Sequence, residues 1–356
     1  MLALTVVPGS RNTAQVQEVP DPEPAPGDLL VRGLAVGVCG TDKEIVRGEY
    51  GWAPSGRDRL TLGHESLGRV EQAPACSGFA AGELVAGVVR RPDPEPCGAC
   101  AHGEWDMCRN GRYTERGIKE LDGYASERWT LPAQYAVKVA SHLGLSGVLT
   151  ESTSVVAKAW EQVERIGQRA WFEPRTILVT GAGPIGLLAA MIGVQRGLDV
   201  HVLDRVTNGP KPDLVRDLGA TYHHSSVAEV AQQTRPDVVI EATGAGHVVF
   251  DAIAETSRYG IVCLTGVSPA GRRLQIDAGQ LNREIVLEND AVVGSVNANL
   301  RHYQAAAAAL ADAEPSWLKR LITTTVPLTD APAAFQLPGS DDVKVVIALD
   351  ESAERQ

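Results

Sequence analysis

The chain has 356 residues, enough for two typical domains, and an ordinary globular composition with 44% hydrophobic and 22% charged residues. Its net charge of −11, without a basic cluster, argues against a nucleic-acid partner, because phosphate binding needs a basic face. There is no signal-peptide pattern and no apolar run of the ~20 residues that a membrane helix needs, so we expect a cytoplasmic protein without a membrane partner.

The first part of the chain has the character of a β-rich domain with long loops. Residues 1 to about 150 contain short alternating apolar runs, such as Leu29–Leu34 and Glu83–Ala86, which glycine and proline separate. Apolar residues then take helical spacing over Ser154–Ile166. We therefore expect a β-rich domain over residues 1–154.

Strands and helices alternate from residue 176 onward. The predicted strands are Thr176–Thr180, Val200–Leu203, Asp237–Ile240 and Ile261–Thr265. The predicted helices are Ile185–Arg196, Asp213–Leu218 and Val248–Ser257. This alternation predicts a parallel sheet with helices on both faces, a doubly wound α/β domain over residues 155–295. Residues 296–356, with the short helix Ala305–Ala309 and the strand Val343–Leu349, are expected to return to the first domain.

A glycine fingerprint stands between the first strand and the first helix of this alternation. Gly181 permits the tight turn, Gly183 lets the backbone approach a pyrophosphate, and Gly186 lets helix and strand pack closely. The free N–H groups of the helix N-terminus attract the phosphates, and Pro184 suits the first helical turn. The pattern therefore predicts a Rossmann dinucleotide site, formed by Gly181, Gly183, Pro184, Ile185 and Gly186.

The end of the next strand bears on the choice between NAD and NADP. Asp204 is placed to accept hydrogen bonds from the adenosine ribose and would repel a 2′-phosphate. Arg205 beside it could stack on adenine or pair with that phosphate. We expect NAD or NADP as cofactor, and these two residues together favour NAD.

Cys39 and His64 are candidate ligands of a catalytic metal. Zinc prefers thiolate and imidazole ligands, and a catalytic zinc keeps one position open for substrate. Each residue alone is more typical of a buried structural position. Together, ahead of a dinucleotide-binding fold, they predict a zinc site.

These segments and three others resemble the zinc-binding medium-chain dehydrogenase/reductase family over nearly the whole chain. The matching segments are Cys39–Asp42, Gly63–Gly68, Phe79–Val85, Asp122–Glu127 and Gly181–Gly186. A closer similarity to the glucose 1-dehydrogenase branch lies in Tyr113–Lys119, Glu151–Ala159 and Glu288–Ala298. The resemblance implies a Rossmann domain beside a β-rich, GroES-like catalytic domain, assembled as a homodimer or homotetramer.

The resemblance also implies which residues form the catalytic site. Zinc would be held by Cys39 and His64 with an acid that matches Glu65 or Glu151, and Thr41 or Glu65 would carry the substrate proton away. Sugar hydroxyls would contact Thr41, Glu115, Glu151 and Asn297. Without the resemblance, Glu115 would be interpreted as an exposed loop acid and Asn297 as a capping amide. The remaining cofactor contacts would be Thr243, Thr265, Val267 and Val296.

Three closely spaced cysteines resemble the structural zinc lobe of this family: Cys97, Cys100 and Cys108. The first of the usual four cysteine positions falls on Pro94, which cannot bind a metal. Asp93 or Glu95 could supply an oxygen ligand instead. The alternative is a lobe held by packing and hydrogen bonds without a second zinc.

The whole pattern predicts a dehydrogenase that oxidises a glucose-like aldose to a lactone with zinc and NAD(P). A zinc dehydrogenase for a polyol, cyclitol or amino alcohol would keep the same catalytic parts. A non-catalytic dinucleotide-binding sensor would have no need of Cys39 and His64. A zinc-free quinone or enoyl reductase would lack that pair.

Overall fold

The chain forms two compact units, and the computed structural model describes residues 1–269, 271, 273–336 and 342–350. The first unit contains Met1–Ser154 and the described residues of 297–356. The second unit is Val155–Val296. No helix among the described residues is both long and apolar enough to cross a bilayer.

The regular elements of the described residues are mostly short strands in the first unit and alternating strands and helices in the second. The strands are β1 (Leu2–Val6), β2 (Gln15–Glu18), β3 (Asp28–Gly37), β4 (Leu60–Thr61), β5 (Glu65–Gln72), β6 (Leu84–Gly87), β7 (Arg90–Arg91), β8 (Thr114–Arg116), β9 (Glu120–Leu121), β10 (Arg128–Pro132), β11 (Ala136–Val139), β12 (Thr176–Thr180), β13 (Asp199–Leu203), β14 (Thr221–His223), β15 (Val238–Glu241), β16 (Ile261–Leu264), β17 (Ala291–Gly294), β18 (Ile322–Pro327) and β19 (Lys344–Ala348). The helices are α1 (Gly40–Val46), α2 (Gly98–Ala101), α3 (Thr150–Gly167), α4 (Pro184–Gln195), α5 (Pro210–Asp217), α6 (Val227–Thr234), α7 (Gly246–Ala254), α8 (Ala278–Glu288), α9 (Leu300–Ala311) and α10 (Pro315–Leu321).

The first unit is built on a mixed sheet in the order β11-β6-β5-β3-β19-β18, with β10 paired to β3. Two smaller sheets, β2-β1-β4 and β7-β8-β9, complete it. Strand β3 is antiparallel to both β5 and β19, and Gly37 at its end lies opposite Glu65 on one side and Val346 on the other. The C-terminal strand therefore returns to the centre of the first sheet. Buried apolar side chains, including Tyr124 and Trp129, fill the core around it.

The second unit has one parallel sheet in the order β14-β13-β12-β15-β16-β17. After β12 the chain forms β13 and β14 on one side of that strand, and it then returns to form β15 on the other side. This reversal creates a crevice at the carboxyl ends of β12 and β15, where ligands of doubly wound folds bind. The strands carry nearly continuous buried apolar residues, as a sheet covered on both faces requires.

The predicted fold class is confirmed, and most element boundaries differ by one to a few residues. Helix α3 begins at Thr150, ahead of the predicted start, and Ala305–Ala309 is the middle of the longer α9. Elements β14, α6, α8 and β17 were not predicted from the sequence. Strand β14 has only three residues, and β17 has only four, none of which is fully buried, so each is too short to stand out as a predicted strand. The capping box of Ser226 and Glu229 at the start of α6 was a local signal that could have been used.

Candidate active site

A thiol, an imidazole and a carboxylate converge in the first unit. The potential ligand atoms of Cys39, His64 and Glu65 all lie within 4.8 Å of one another. Cys39 immediately precedes α1, His64 immediately precedes β5, and Glu65 is the first residue of β5. Only 3% of His64 and 2% of Glu65 is exposed. Cys39 is half-buried. A set of one sulfur, one nitrogen and one oxygen ligand fits a zinc ion with an open coordination position.

Asp42 orients two of these groups. Its Oδ2 accepts a hydrogen bond from the backbone N–H of Cys39 at 2.9 Å. Its Oδ1 lies 3.3 Å from His64 Nδ1, a charge contact that lacks ideal hydrogen-bond geometry. Burial lowers the pKa of His64, but Asp42 and Cys39 together raise that pKa well above its ordinary value. A carboxylate behind a metal-binding histidine fixes the direction of its ring.

Lys344 supplies a positive charge beside the same pocket. Its Nζ pairs with Glu65 Oε2, and both side chains are buried. Gly37 makes room for the pair, because a Cβ atom there would lie 1.9 Å from Glu65 Oε2 and 2.8 Å from Lys344 Cε. Burial lowers the pKa of Lys344, and the neighbouring Glu65, Cys39 and Glu151 raise it above its usual value.

Glu151 and Thr41 lie near this group without joining it. Glu151 is in the first turn of α3, outside the set whose ligand atoms lie within 4.8 Å. The pKa of Glu151 is raised to about 7, because burial and the neighbouring Glu65 raise it by more than His64 and Lys344 lower it. Thr41 is in the first turn of α1, two positions after Cys39.

Glu115 and Asn297, the two residues assigned to sugar hydroxyls, are held together by Arg90. Glu115 lies in β8 and is buried, and its Oε1 accepts a hydrogen bond from Arg90 Nε at 3.0 Å. The Asn297 amide satisfies its neighbours when its NH2 group faces Glu115, and Nδ2 then donates to the same Oε1 at 3.1 Å. In this orientation the Asn297 amide oxygen accepts from Arg90 Nη2. Glu115 is therefore not an exposed loop acid, and the amide that caps α9 belongs to Asn299.

The cysteine lobe brings its three thiols together. The sulfur atoms of Cys97, Cys100 and Cys108 lie within 4.8 Å of one another. Backbone N–H groups, first that of Arg109, lower the pKa of Cys97 to about 6. Asp93 is outside this group, and its carboxylate accepts hydrogen bonds from the Glu95 backbone and from Asn110. The structure thus groups three thiols and leaves the fourth ligand a prediction.

A pocket of about 610 Å³ lies at the carboxyl edge of the second unit's sheet. Of the predicted cofactor residues, it is lined by Gly181, Gly183, Asp204, Arg205 and Thr243. It is also lined by polar residues to which the sequence alone assigned no role: Lys211, His224, Ser225 and Ser226.

The glycine loop has the close packing that the fingerprint requires. A Cβ atom on Gly186 would lie 1.8 Å from the carbonyl oxygen of Gly181, so only glycine fits there. Pro184 and Ile185 begin α4, with Gly183 as its N-cap. Asp204 Oδ2 accepts a hydrogen bond from the backbone N–H of Ala182 at 2.6 Å, which ties the second strand to the loop.

The remaining predicted cofactor residues follow the neighbouring strands. Thr265 Oγ1 donates to the backbone carbonyl of Glu241 at 2.8 Å. Val267, after β16, is 79% exposed, and Val296, after β17, is 58% exposed. These apolar side chains lie at the edge of the sheet where a dinucleotide of a doubly wound fold binds.

Comparison with known proteins gives the same assignment over both units. The family model described as "Alcohol dehydrogenase GroES-like domain" matches residues 25–141, and "Glucose dehydrogenase C-terminus" matches residues 144–349. The glucose 1-dehydrogenases of Methanocella arvoryzae and Thermoproteus tenax are 38% and 41% identical, and each alignment covers 98% of this chain and 99% of the relative. The glucose dehydrogenase of Haloferax mediterranei has been solved in complex with NADP, Zn and gluconolactone. Its structure matches this chain with a TM-score of 0.89 at 33% sequence identity, and the match covers 98% of this chain and 99% of that chain.

The chain belongs to the glucose dehydrogenase branch of the zinc-binding medium-chain dehydrogenases. The family resemblance found in the sequence is thereby confirmed. The sequence analysis assigned no role to five charged residues that contact or accompany the predicted site residues. They are Asp42, Arg90, Lys211, Glu241 and Lys344. Two of them carried a local signal, since Asp42 is part of the Cys39–Asp42 segment and Lys344 interrupts an otherwise apolar strand.

Proposed function

We propose that this chain oxidises the C1 hydroxyl of an aldose such as glucose to the lactone while NADP⁺ or NAD⁺ accepts the hydride and one proton is released. The observation that carries this proposal is the convergence of Cys39, His64 and Glu65 in one group. Curated glucose 1-dehydrogenases that align over the full chain support the same reaction. A relative in complex with NADP, Zn and gluconolactone supports the cofactor, the metal and the product.

The residues of the first unit fit a catalytic zinc ion. Cys39, His64 and Glu65 offer one sulfur, one nitrogen and one oxygen ligand, and Glu151 is an alternative or additional acid. When bound, zinc acts as a Lewis acid that makes a hydroxyl group more acidic. Asp42 fixes the imidazole of His64 and the backbone of Cys39, so the protein ligands are oriented before substrate arrives.

Thr41 and Glu65 are the candidates for moving the substrate proton. A general base must lie within hydrogen-bond reach of the proton that it takes. Thr41 lies on the first turn of α1, two positions after the proposed metal ligand Cys39, and its hydroxyl can accept one hydrogen bond while it donates another, as a proton relay requires. Glu65 has the cationic Lys344 as a partner, which offsets part of its negative charge in the buried pocket.

Glu115 and Asn297 provide the specificity for a sugar. Each can make further hydrogen bonds, because an amide offers two N–H groups and two acceptor sites and a carboxylate accepts about four bonds. Polar groups that are buried and fixed discriminate strongly against substrates that lack the matching hydroxyl. The structure therefore favours a polyhydroxylated substrate over a simple alcohol, and another polar alcohol such as a cyclitol is the second candidate.

We infer that the second unit binds NADP in preference to NAD. Arg205, Lys211 and His224 all line the pocket, and arginine and lysine side chains ordinarily carry a positive charge at neutral pH. Asp204, which would repel a 2′-phosphate, is engaged by the backbone N–H groups of Ala182 and Val206. Cationic side chains with neighbouring serine hydroxyls suit a phosphate, so their attraction for the phosphate outweighs the repulsion by Asp204.

The oligomer is proposed to be a homodimer formed through the edge strand β17. Among the described residues β17 pairs only with β16, so its outer backbone groups are open to a second chain. Helix α8 beside it in sequence has no buried residue, and Val286 and Leu287 on it are each 63% exposed. A self-complementary apolar edge is typical of a two-fold interface.

The cytoplasm is the proposed compartment. Cys39 and the lobe cysteines are free thiols in the structure and serve as proposed metal ligands. Metal-binding thiols need a reducing environment, which the cytoplasm maintains.

A substrate panel with both nucleotides tests the reaction. We expect nicotinamide reduction with glucose or a related aldose, weak or no reduction with simple alcohols, and loss of turnover after zinc is removed with a chelator. Added zinc should restore activity, and nucleotide binding, measured by fluorescence, should survive chelation. Turnover only on a cyclitol or polyol would favour the second candidate, and bound zinc and nucleotide without any turnover would favour the sensor.

Substitution of Lys211 tests the nucleotide preference. Lys211→Ala should raise KM for NADP about tenfold, because a hydrogen bond to a charged group contributes about 1.5–3 kcal/mol, and should leave KM for NAD within twofold. The matched control is Arg216→Ala on the same helix, where Arg216 pairs with Asp213 and does not line the pocket. Equal effects of Lys211→Ala on both nucleotides would contradict a role in phosphate recognition.

Charges placed on the β17 edge test the dimer. The double variant Leu287→Lys and Val292→Lys should shift the mass measured by light scattering from that of a dimer to the 37.8 kDa of one chain. A charge on an edge blocks strand pairing between chains. Trp171→Lys, at an 82% exposed residue on the loop after α3, is the control and should leave the mass unchanged. A wild-type mass of 37.8 kDa, or no change in the double variant, would exclude this interface.

A further inference from the structure

The guanidinium group of Arg90 is buried and makes contacts in three directions. Nε and Nη2 each lie 3.0 Å from Glu115 Oε1, and Nη2 also donates to the amide oxygen of Asn297. Nη1 donates to the backbone carbonyl of Asp106 at 3.1 Å. The face of the group lies 3.6 Å from the centre of the Tyr113 ring. One planar side chain thus connects the two proposed sugar contacts, Glu115 and Asn297, with the segment that contains Asp106.

That segment is the cysteine lobe. Asp106 lies in the short 3-10 helix Trp105–Met107, between Cys100 and Cys108. Its Oδ1 accepts a hydrogen bond at 2.8 Å from Nδ2 of Asn299, a buried residue two positions after Asn297. The lobe is therefore joined to the sugar contacts twice, through Arg90 on one side and through Asn299 on the other.

The geometry of these bonds makes Arg90 difficult to replace. A guanidinium group has five N–H donors in one fixed plane, whereas the lysine ammonium is a point charge on a flexible stem. A buried ion pair is stabilising only when hydrogen bonds satisfy its remaining polar atoms, and Asp106 and Asn297 provide them here. Asn297 has a backbone φ of 62°, a left-handed conformation that is uncommon outside glycine and needs support from its surroundings.

We propose that Arg90 is a positioning residue through which the cysteine lobe fixes the sugar contacts Glu115 and Asn297. Asp106 holds Arg90 by its main chain, and Arg90 holds Glu115 and Asn297 in the orientation that receives sugar hydroxyls. The lobe thereby contributes to substrate specificity as well as to folding. This inference rests on the proposed function, since it requires Glu115 and Asn297 to contact the sugar.

The first test compares Arg90→Lys with Arg91→Lys. Arg91 is the next residue of β7, donates to the Val88 carbonyl and lies over the Tyr135 ring, so its replacement is a matched control. Arg90→Lys should raise KM for glucose about tenfold and leave KM for NADP within twofold, the size expected when about 1.4 kcal/mol of hydrogen bonding is lost. Discrimination between glucose and 2-deoxyglucose or galactose should fall, which a general loss of stability would not produce.

The second test acts on the lobe and leaves Arg90 in place. Asp106→Ala removes the acceptor of Asn299 and should raise KM for glucose, whereas Asp106→Asn retains an acceptor oxygen and should restore the wild-type value. This pair tests the contribution of the lobe even if Arg90→Lys does not fold, which nucleotide binding and the thermal midpoint would reveal.

The outcomes separate this inference from the proposed function. A wild-type enzyme without activity on any aldose overturns both. An active wild-type enzyme in which Arg90→Lys behaves as Arg91→Lys does, or raises KM for glucose and NADP together, overturns the positioning role alone. Equal KM values for glucose in Asp106→Ala and Asp106→Asn would overturn the contribution of the cysteine lobe to sugar binding.

Discussion

The catalytic unit depends on the stabilisation of several ionisable side chains that are crowded into one pocket. Cys39, His64, Glu65 and Asp42 bring a thiol, an imidazole and two carboxylates together, and all of these residues except the half-buried Cys39 are buried. Isolated charges are costly in such a place unless they are paired or bind a metal. Lys344 offsets part of the negative charge, and a divalent cation would offset more. Strand β3 accommodates the pair of Lys344 and Glu65, because Gly37 has no side chain that would occupy the same space.

A similar arrangement organises the dinucleotide site. Glu241, at the end of β15, is fully buried and accepts hydrogen bonds from Thr180 Oγ1 at 3.2 Å and from the backbone N–H of Thr243 at 2.7 Å. Its own carbonyl accepts from Thr265. One acidic residue thus ties together the loops after β12, β15 and β16, which border the crevice. In both units, a buried carboxylate fixes segments that carry the proposed functional groups.

Local patterns made much of the fold and part of the site predictable. The glycine fingerprint, the alternation of strands and helices, and the Cys39 and His64 segments each depend on residues close in sequence. The supporting contacts do not: Lys344 reaches Glu65, and Asp106 reaches Asn299, from distant parts of the chain. Such pairs follow from strand order and register, which single-sequence patterns do not specify. Short or half-exposed elements such as β14 and β17 were missed for the related reason that they bury too little apolar surface.

The most direct test of the proposed chemistry is whether the Cys39 group binds a metal that responds to sugar. Zinc can be replaced by cobalt, whose absorption spectrum reports thiolate ligation and coordination geometry. We expect the wild-type protein to show a sulfur-to-cobalt charge-transfer band that is reduced in Cys39→Ser, with visible bands that shift when glucose is added and do not shift with ethanol. A spectrum that is unchanged by Cys39→Ser, and unaffected by glucose, would contradict the claim that this buried group is the catalytic metal site.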